Sequence, residues 1–217
     1  MKKITFLVIA LFATVPNVYA SLTEELTKEY GQTAFSVTDP EYEWSQTDTK
    51  HVKVNLTSKG LFLESKNEDG FAYSVSELPI DSEELPEFLF GFKLSNMKID
   101  NKNRFGMFFD YQDIRNYKGI SISKKRYEYF TVTDGVYSPI KSGPVKYKGS
   151  DFTLILKREN GGIEFSLNGI EVCKLRKIKL TSSYFGVFIG GKAKAIMPEF
   201  ILYIPQQEDT EQSTTNT

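Results

Sequence analysis

Phe152-Thr-Leu-Ile-Leu156, then Asn160-Gly161, then Gly162-Ile-Glu-Phe-Ser-Leu-Asn-Gly169 is the stretch whose reading decides the fold. Apolar residues recur at every second position in both runs, the spacing that puts Phe152, Leu154 and Leu156 on one side of a pleated strand and Ile163, Phe165 and Leu167 on one side of the next. Thr153, Glu164 and Ser166 fall on the opposite sides. Asn168-Gly169 supplies two residues that tolerate positive φ, as a two-residue type I′ turn demands, and so joins this run to Ile170-Glu-Val172 as a hairpin. Asn160-Gly161-Gly162 and Asp134-Gly135 serve the neighbouring turns in the same way.

The rest of the chain follows this grammar. Brief apolar runs bounded by Gly, Asn, Asp, Pro or Ser predict strands near 33–37, 50–56, 60–65, 70–76, 88–97, 103–111, 116–123, 126–132, 151–157, 162–167, 170–175, 184–190 and 198–204. The expected class is all-β, a two-sheet antiparallel sandwich. One short helix is expected over Ser21–Tyr30, where capping residues and early acids precede Gly31. Two runs break simple alternation: Phe105, Met107 and Phe109 oppose Phe108, and Phe185, Val187 and Ile189 oppose Tyr184 and Phe188. A strand apolar on both sides needs cover on its outer side, or else it forms a concave face that bears aromatic rings.

Lys2 and Lys3 precede an apolar run from Ile4 to Val15, and Val18-Tyr19-Ala20 supplies small residues one and three positions before a cut. This is the anatomy of a secretory signal peptide, and the apolar run falls short of the ~20 residues that cross a bilayer. The expected organisation is therefore a leader over 1–20, the short helix and linker over 21–33, one sandwich over 34–205 and a polar, disordered tail over 206–217. The mature chain would be secreted or periplasmic. Cys173 is the single cysteine, so no intrachain disulfide can form and stability must come from the core. Without Lys2 and Lys3 the 27 basic residues fall to 25 against 28 acidic ones, a mature net charge of −3. A weakly acidic chain with interspersed charge has no electrostatic footprint for nucleic acid.

Gly106-Met-Phe-Phe-Asp-Tyr-Gln-Asp113, Asn116-Tyr-Lys-Gly-Ile120, Phe152-Thr-Leu-Ile-Leu-Lys-Arg158, Ile163-Glu-Phe-Ser-Leu-Asn-Gly169 and Tyr184-Phe-Gly-Val-Phe-Ile-Gly190 occur in an order that resembles the concanavalin A-like (laminin G-like) jelly roll. The bacterial secreted group named for 3-keto-disaccharide hydrolase is the part of that superfamily it looks most like. The resemblance covers about 88–204 and implies a jelly-roll sandwich. It also implies a domain that binds or cleaves carbohydrate, or docks a protein, and fold alone does not choose among these.

Catalytic machinery is not legible. Glucanases on this fold carry alternating carboxylates on one strand. Asp39-Pro-Glu-Tyr-Glu43 departs from that pattern in identity and spacing, and Pro40 argues against a central strand. His51 is the sole histidine, which rules out a multi-histidine metal site and leaves a histidine-dependent triad without partners. No cofactor is expected, with calcium the metal that Asp110, Asp113 and Asn116 could hold through loop oxygens; capping of a hairpin bend explains the same three residues. Trp44 reads either as a sugar-stacking platform or as a core plug. Tyr127 and Tyr129 share one face of Arg126-Tyr-Glu-Tyr-Phe-Thr-Val132, and that face is either a binding surface or a cross-strand packing surface. Lys141 to Lys148 and Lys174 to Leu180 are locally basic, as suits edge strands that must not pair with other molecules. The functional expectation is a monomeric, non-catalytic module for carbohydrate or a protein partner, with a glycoside hydrolase of unfamiliar design and a surface-assembly subunit as alternatives.

Overall fold

The computed structural model describes residues 34–79 and 87–204. Sixteen strands fill them: β1 (Ala34–Ser36), β2 (Thr47–Asp48), β3 (Val52–Thr57), β4 (Gly60–Ser65), β5 (Phe71–Glu77), β6 (Phe88–Leu94), β7 (Arg104–Asp113), β8 (Asn116–Ser123), β9 (Arg126–Thr133), β10 (Val136–Pro144), β11 (Phe152–Glu159), β12 (Gly162–Leu167), β13 (Ile170–Leu175), β14 (Tyr184–Gly190), β15 (Ala193–Met197) and β16 (Glu199–Tyr203). There is no helix among the described residues, and hence none long and apolar enough to cross a membrane. The leader, the short helix expected at 21–30 and the polar tail all lie outside the described residues.

Three antiparallel sheets form. A back sheet runs β1-β16-β6-β11-β12-β13, a front sheet runs β10-β9-β8-β7-β14-β5, and a smaller side sheet runs β15-β4-β3-β2. The two large sheets face each other. Phe105 of β7 meets Phe152 of β11 at 4.7 Å between ring centroids, Phe109 meets Phe165 of β12 at 5.5 Å, and Phe185 of β14 meets Phe90 of β6 at 5.2 Å. Val54, Leu61, Leu63, Ala195 and Met197 of the side sheet are buried in the same core, and a bridge between Ser95 and Ile196 ties β15 to the end of β6.

The expected two-sheet sandwich is thus corrected to three sheets. Period-2 alternation records which face of a strand is buried, but not which neighbour receives its hydrogen bonds. β3 and β4 alternate like the other strands and yet pair with β15 and β2. The hairpin that decided the class forms as expected: β11 pairs with β12 from Leu154↔Leu167 to Glu159↔Gly162, and Asn168 (φ 50°) and Gly169 (φ 76°) close the turn into β13. Phe152, Leu154, Leu156, Ile163, Phe165 and Leu167 are all buried.

Candidate functional site: the aromatic outer face of the front sheet

Alternation in the front sheet sends a second set of large side chains away from the core. β7 turns Phe105, Met107 and Phe109 inward and Phe108 outward; β14 sends Phe188 outward, β9 sends Phe130 and Val132, β8 sends Tyr117, and β5 sends Phe71, Tyr73 and Val75. These outward residues form their own apolar cluster, which Tyr111 joins. The outer face of the back sheet carries far less, with Leu89 and Ile201 packed against Ile155 and Tyr203.

Glycines explain how this face packs so tightly. Gly106 and Gly119 present no side chain, so neighbouring rings lie across them: the tip of Phe188 comes within 2.4 Å of where a Cβ on Gly106 would stand, and that of Phe130 within 2.6 Å of the corresponding point on Gly119. The rings tile in consequence. Phe108 and Phe188 stack at 4.7 Å and 24°, Tyr117 leans on Phe108 at 4.6 Å, and Phe71 meets Phe188 at 5.0 Å. Phe108, Phe130 and Phe188 are buried although they point outward, leaving Phe71, Tyr73, Tyr111 and Tyr117 half-buried above them. Tyr137 of β10 stands 47% exposed and packs on Phe130 at 5.0 Å.

A recess of about 230 Å³ opens here, lined by Phe71, Arg104, Tyr117, Ser121, Phe130, Tyr137 and Phe188. A second, of about 260 Å³, continues past Tyr117 toward the bend between β7 and β8, where Gln112, Asn116 and Lys118 line it. An apolar floor with a few convergent polar groups is the usual composition of a small-ligand site. Burial holds the Tyr111 hydroxyl well above the ordinary phenol range, with a hydrogen bond to Tyr73 adding to it. Tyr117 is likewise raised by burial, against the pull of the Arg104 charge, and Tyr137 by burial and then by donating its proton to the Glu128 carboxylate. These phenols are neutral at neutral pH and serve as hydrogen-bonding groups.

Of the residues singled out from sequence, Asp110 and Asn116 line the second recess and the others lie elsewhere. Trp44 is 4% exposed and meets Phe200 edge-on at 5.4 Å, in the core. Tyr127 and Tyr129 share a face, as alternation requires, but it is the inner one: Tyr129 stacks against Phe109 at 6.2 Å, and Tyr127 is hydrogen-bonded to Cys173. None of the three lines the outer face.

Asp110 is 3% exposed in a left-handed bend (φ 51°), where one carboxylate oxygen pairs with Lys118 and the other accepts the Thr181 hydroxyl at 3.1 Å. Asp113 accepts the Arg115 amide at 2.6 Å and the Asn116 side-chain amide at 3.1 and 3.2 Å, and these bonds hold its carboxyl below the ordinary range. Asp110 therefore anchors the segment around Thr181, while Asp113 and Asn116 shape the turn. Among the described residues no group of three or more His, Cys, Asp or Glu side chains converges as a cation cage. Asp39 caps its own turn by accepting the Glu41 amide at 3.0 Å, whereas Glu41 and Glu43 stand exposed with Glu77 around an open recess of about 450 Å³. His51 is exposed and bonded to Asn67 at 2.7 Å.

One signal for the outer face was present in the sequence, namely the doubly apolar runs at Phe108 and Phe188. Tyr73, Tyr117, Tyr137 and Arg104 carried none, because each sits in an unexceptional alternating strand or hairpin.

Comparisons with known proteins locate the fold. No family model matches the chain, and no curated protein does. Among solved structures, the carbohydrate-binding module CBM66 from Bacillus subtilis aligns with a TM-score of 0.55 at 13% identity, covering 73% of this chain and 94% of that one. A Bacillus subtilis protein of unknown function with a galectin-like fold aligns at 0.53 and 15% identity, covering 78% and 92%. The carbohydrate recognition domain of Emp46p, in its metal-free form, aligns at 0.55 and 11% identity, covering 75% and 87%. At such identities the likeness is one of fold alone: this chain is an antiparallel β-sandwich with a galectin-like fold. The narrower resemblance to the 3-keto-disaccharide hydrolase group finds no match.

Proposed function

We propose that this protein is a carbohydrate-binding module that seats its ligand on the aromatic outer face of the front sheet. The observation that carries this reading is the ring-floored recess itself, in which Tyr117, Tyr137, Ser121 and Arg104 bring polar groups to the edge of an apolar floor. A pyranose has the complementary make-up, with a C–H face that packs on a flat ring and hydroxyls around its edge that exchange hydrogen bonds with phenols and guanidinium. A large apolar patch that stays open to water marks an interaction site in a soluble protein. The lectin-like and carbohydrate-binding folds of the structural neighbours support the ligand class. The module acts by binding rather than catalysis, and export through a leader ending near Ala20 would deliver it to a compartment where polysaccharides occur.

A glycan array followed by calorimetry tests the proposal, on the full chain and on Tyr117→Ala and Tyr137→Ala. Both variants should lose affinity while keeping the melting temperature within a few degrees. Silence across the array, or binding indifferent to both substitutions, would remove carbohydrate from this face. Sequencing the N-terminus of the exported protein should begin at Ser21.

A further inference from the structure

The ring-floored recess is polar at one end, and the group there is a cation. Arg104 opens β7 on the outer face. A Cβ on Gly190 would stand 3.1 Å from Arg104 Nε, so the side chain runs along the face over that glycine and beside Phe71. Its charge reaches the hydroxyls of both Tyr117 and Tyr137, which places the guanidinium at the mouth of the recess. Among the described residues no carboxylate lies within ion-pair distance of Arg104. Glu128, whose charge like that of Arg104 acts on Tyr137, is held by the Tyr137 hydroxyl. Arg126, the other guanidinium of the region, is engaged with the Ser142 hydroxyl at 2.5 Å.

Building on the carbohydrate-binding reading, we infer that the ligand of this face is an acidic sugar, a uronate or a sialate, whose ring rests against Tyr117 and Tyr137 and whose carboxylate pairs with Arg104. A guanidinium presents a rigid fork of donors that matches the two oxygens of a carboxylate, and such bidentate pairs are stronger than bonds between neutral groups. A neutral sugar seated over Arg104 would displace its water without supplying a counter-charge, and this cost separates the two kinds of ligand. The attraction also gains from the apolar floor, which lowers the local dielectric relative to bulk water.

The test is calorimetry on the full chain with matched pairs: an oligogalacturonate, an oligoglucuronate and sialyllactose, each beside its carboxyl-reduced neutral twin. At least one acidic member should bind about tenfold or more tightly than its twin, and the gap should narrow as salt is raised. Arg104→Gln should bring the two members close to equality, the acidic one losing far more affinity than its neutral twin, and Arg104→Lys, which keeps the charge but loses the fork, should fall between. Since Arg104 is exposed, all these variants should melt with the native protein. Twins that bind equally, or a gap that survives Arg104→Gln, would overturn the inference. If neutral glycans on the array bind but no acidic member of any pair does, the acidic ligand is wrong and the module reading stands. If nothing binds at all, both fall.

Discussion

The ring of Phe188 lies against that of Phe108 at 4.7 Å, and its tip fills the space that a side chain on Gly106 would need. One glycine thus lets a phenylalanine two strands from β8 lie flat on the sheet rather than stand up from it. The outer face can then bury whole rings beneath its own half-buried aromatics, Phe71, Tyr73, Tyr111 and Tyr117.

That packing makes the two kinds of glycine in this chain separable. A Cβ on Gly106 would meet the Ile120 carbonyl oxygen at 2.0 Å as well as the Phe188 ring, so Gly106→Ala must push β7 away from β8 or lift the ring. A cost of about 1–3 kcal/mol is expected, as for other overpacked sites. Gly169→Ala meets nothing within 4 Å and is penalised only by its left-handed backbone at φ 76°, by roughly 1 kcal/mol. Urea midpoints should rank Gly106→Ala as the more damaging, and it alone should weaken binding at the outer face. Equal midpoints would mean that the ring layer is loosely packed.

Much of this architecture could be read from residue order, and the part that could not has a physical cause. Strands with a buried face announce themselves by alternation, as Phe152 to Leu156 and Ile163 to Leu167 do, and Asn168-Gly169 fixes a register within its own turn. β10 did not announce itself: it is an edge strand, mostly exposed, with Pro139 and a register shift between Pro139 and Lys141, so it carries no alternation to detect. β15 is five residues long, with two alanines that give a weak pattern. The side sheet escaped notice for the reason already given, that burial pattern does not name a partner strand.

The candidate site shows the same limit more sharply. Period 2 puts Tyr127 and Tyr129 together on one face of β9 and Phe130 and Val132 on the other, but both sets are apolar enough to be core. Only the position of β9 between β8 and β10, over the back sheet, decides which set looks inward. Arg104 carried no signal because what sets it apart is that no carboxylate lies within ion-pair distance of it among the described residues, and that is a property of space rather than of sequence.

Asp110 and Lys118 should be energetically coupled. Asp110 is almost fully buried and Lys118 is 26% exposed, so removing the lysine leaves a buried carboxylate with only the Thr181 donors. Breaking a fully buried pair costs about 3–5 kcal/mol; because Lys118 is partly reached by water, each single alanine substitution here should cost roughly 2–4 kcal/mol. The double variant should cost less than the two singles added, since neither charge is then stranded. Denaturant unfolding of all four proteins measures the coupling. Simple additivity would show that the two groups do not share an interaction in solution. Asp110→Ala should also loosen the segment around Thr181, detectable as faster amide exchange at the Thr181 amide.

The buried phenols give the fold an alkaline limit with a definite sign. Tyr129, facing Phe109 in the core, is pushed up to about 12 by burial, and Tyr147, whose hydroxyl is buried without a hydrogen-bond partner among the described residues, is also raised by burial to about 12. A phenol in the unfolded chain loses its proton near 10. Between about 10 and 12 the folded state therefore holds protons that the unfolded state has released, so the stability these groups contribute is fully present below 10 and is lost as pH rises through that window. Phenolate absorbance should show Tyr129 and Tyr147 still protonated at pH 11 in folded protein and ionised once the chain is unfolded by urea at the same pH. Tyr129→Phe and Tyr147→Phe should each flatten the fall in melting temperature across the window. Tyr147→Phe should in addition be neutral or mildly stabilising at pH 7, because it removes a buried hydroxyl that has no partner to lose. Titration of both phenols near 10 in the folded protein would place them in water and contradict the inner-face packing from which their shifts arise.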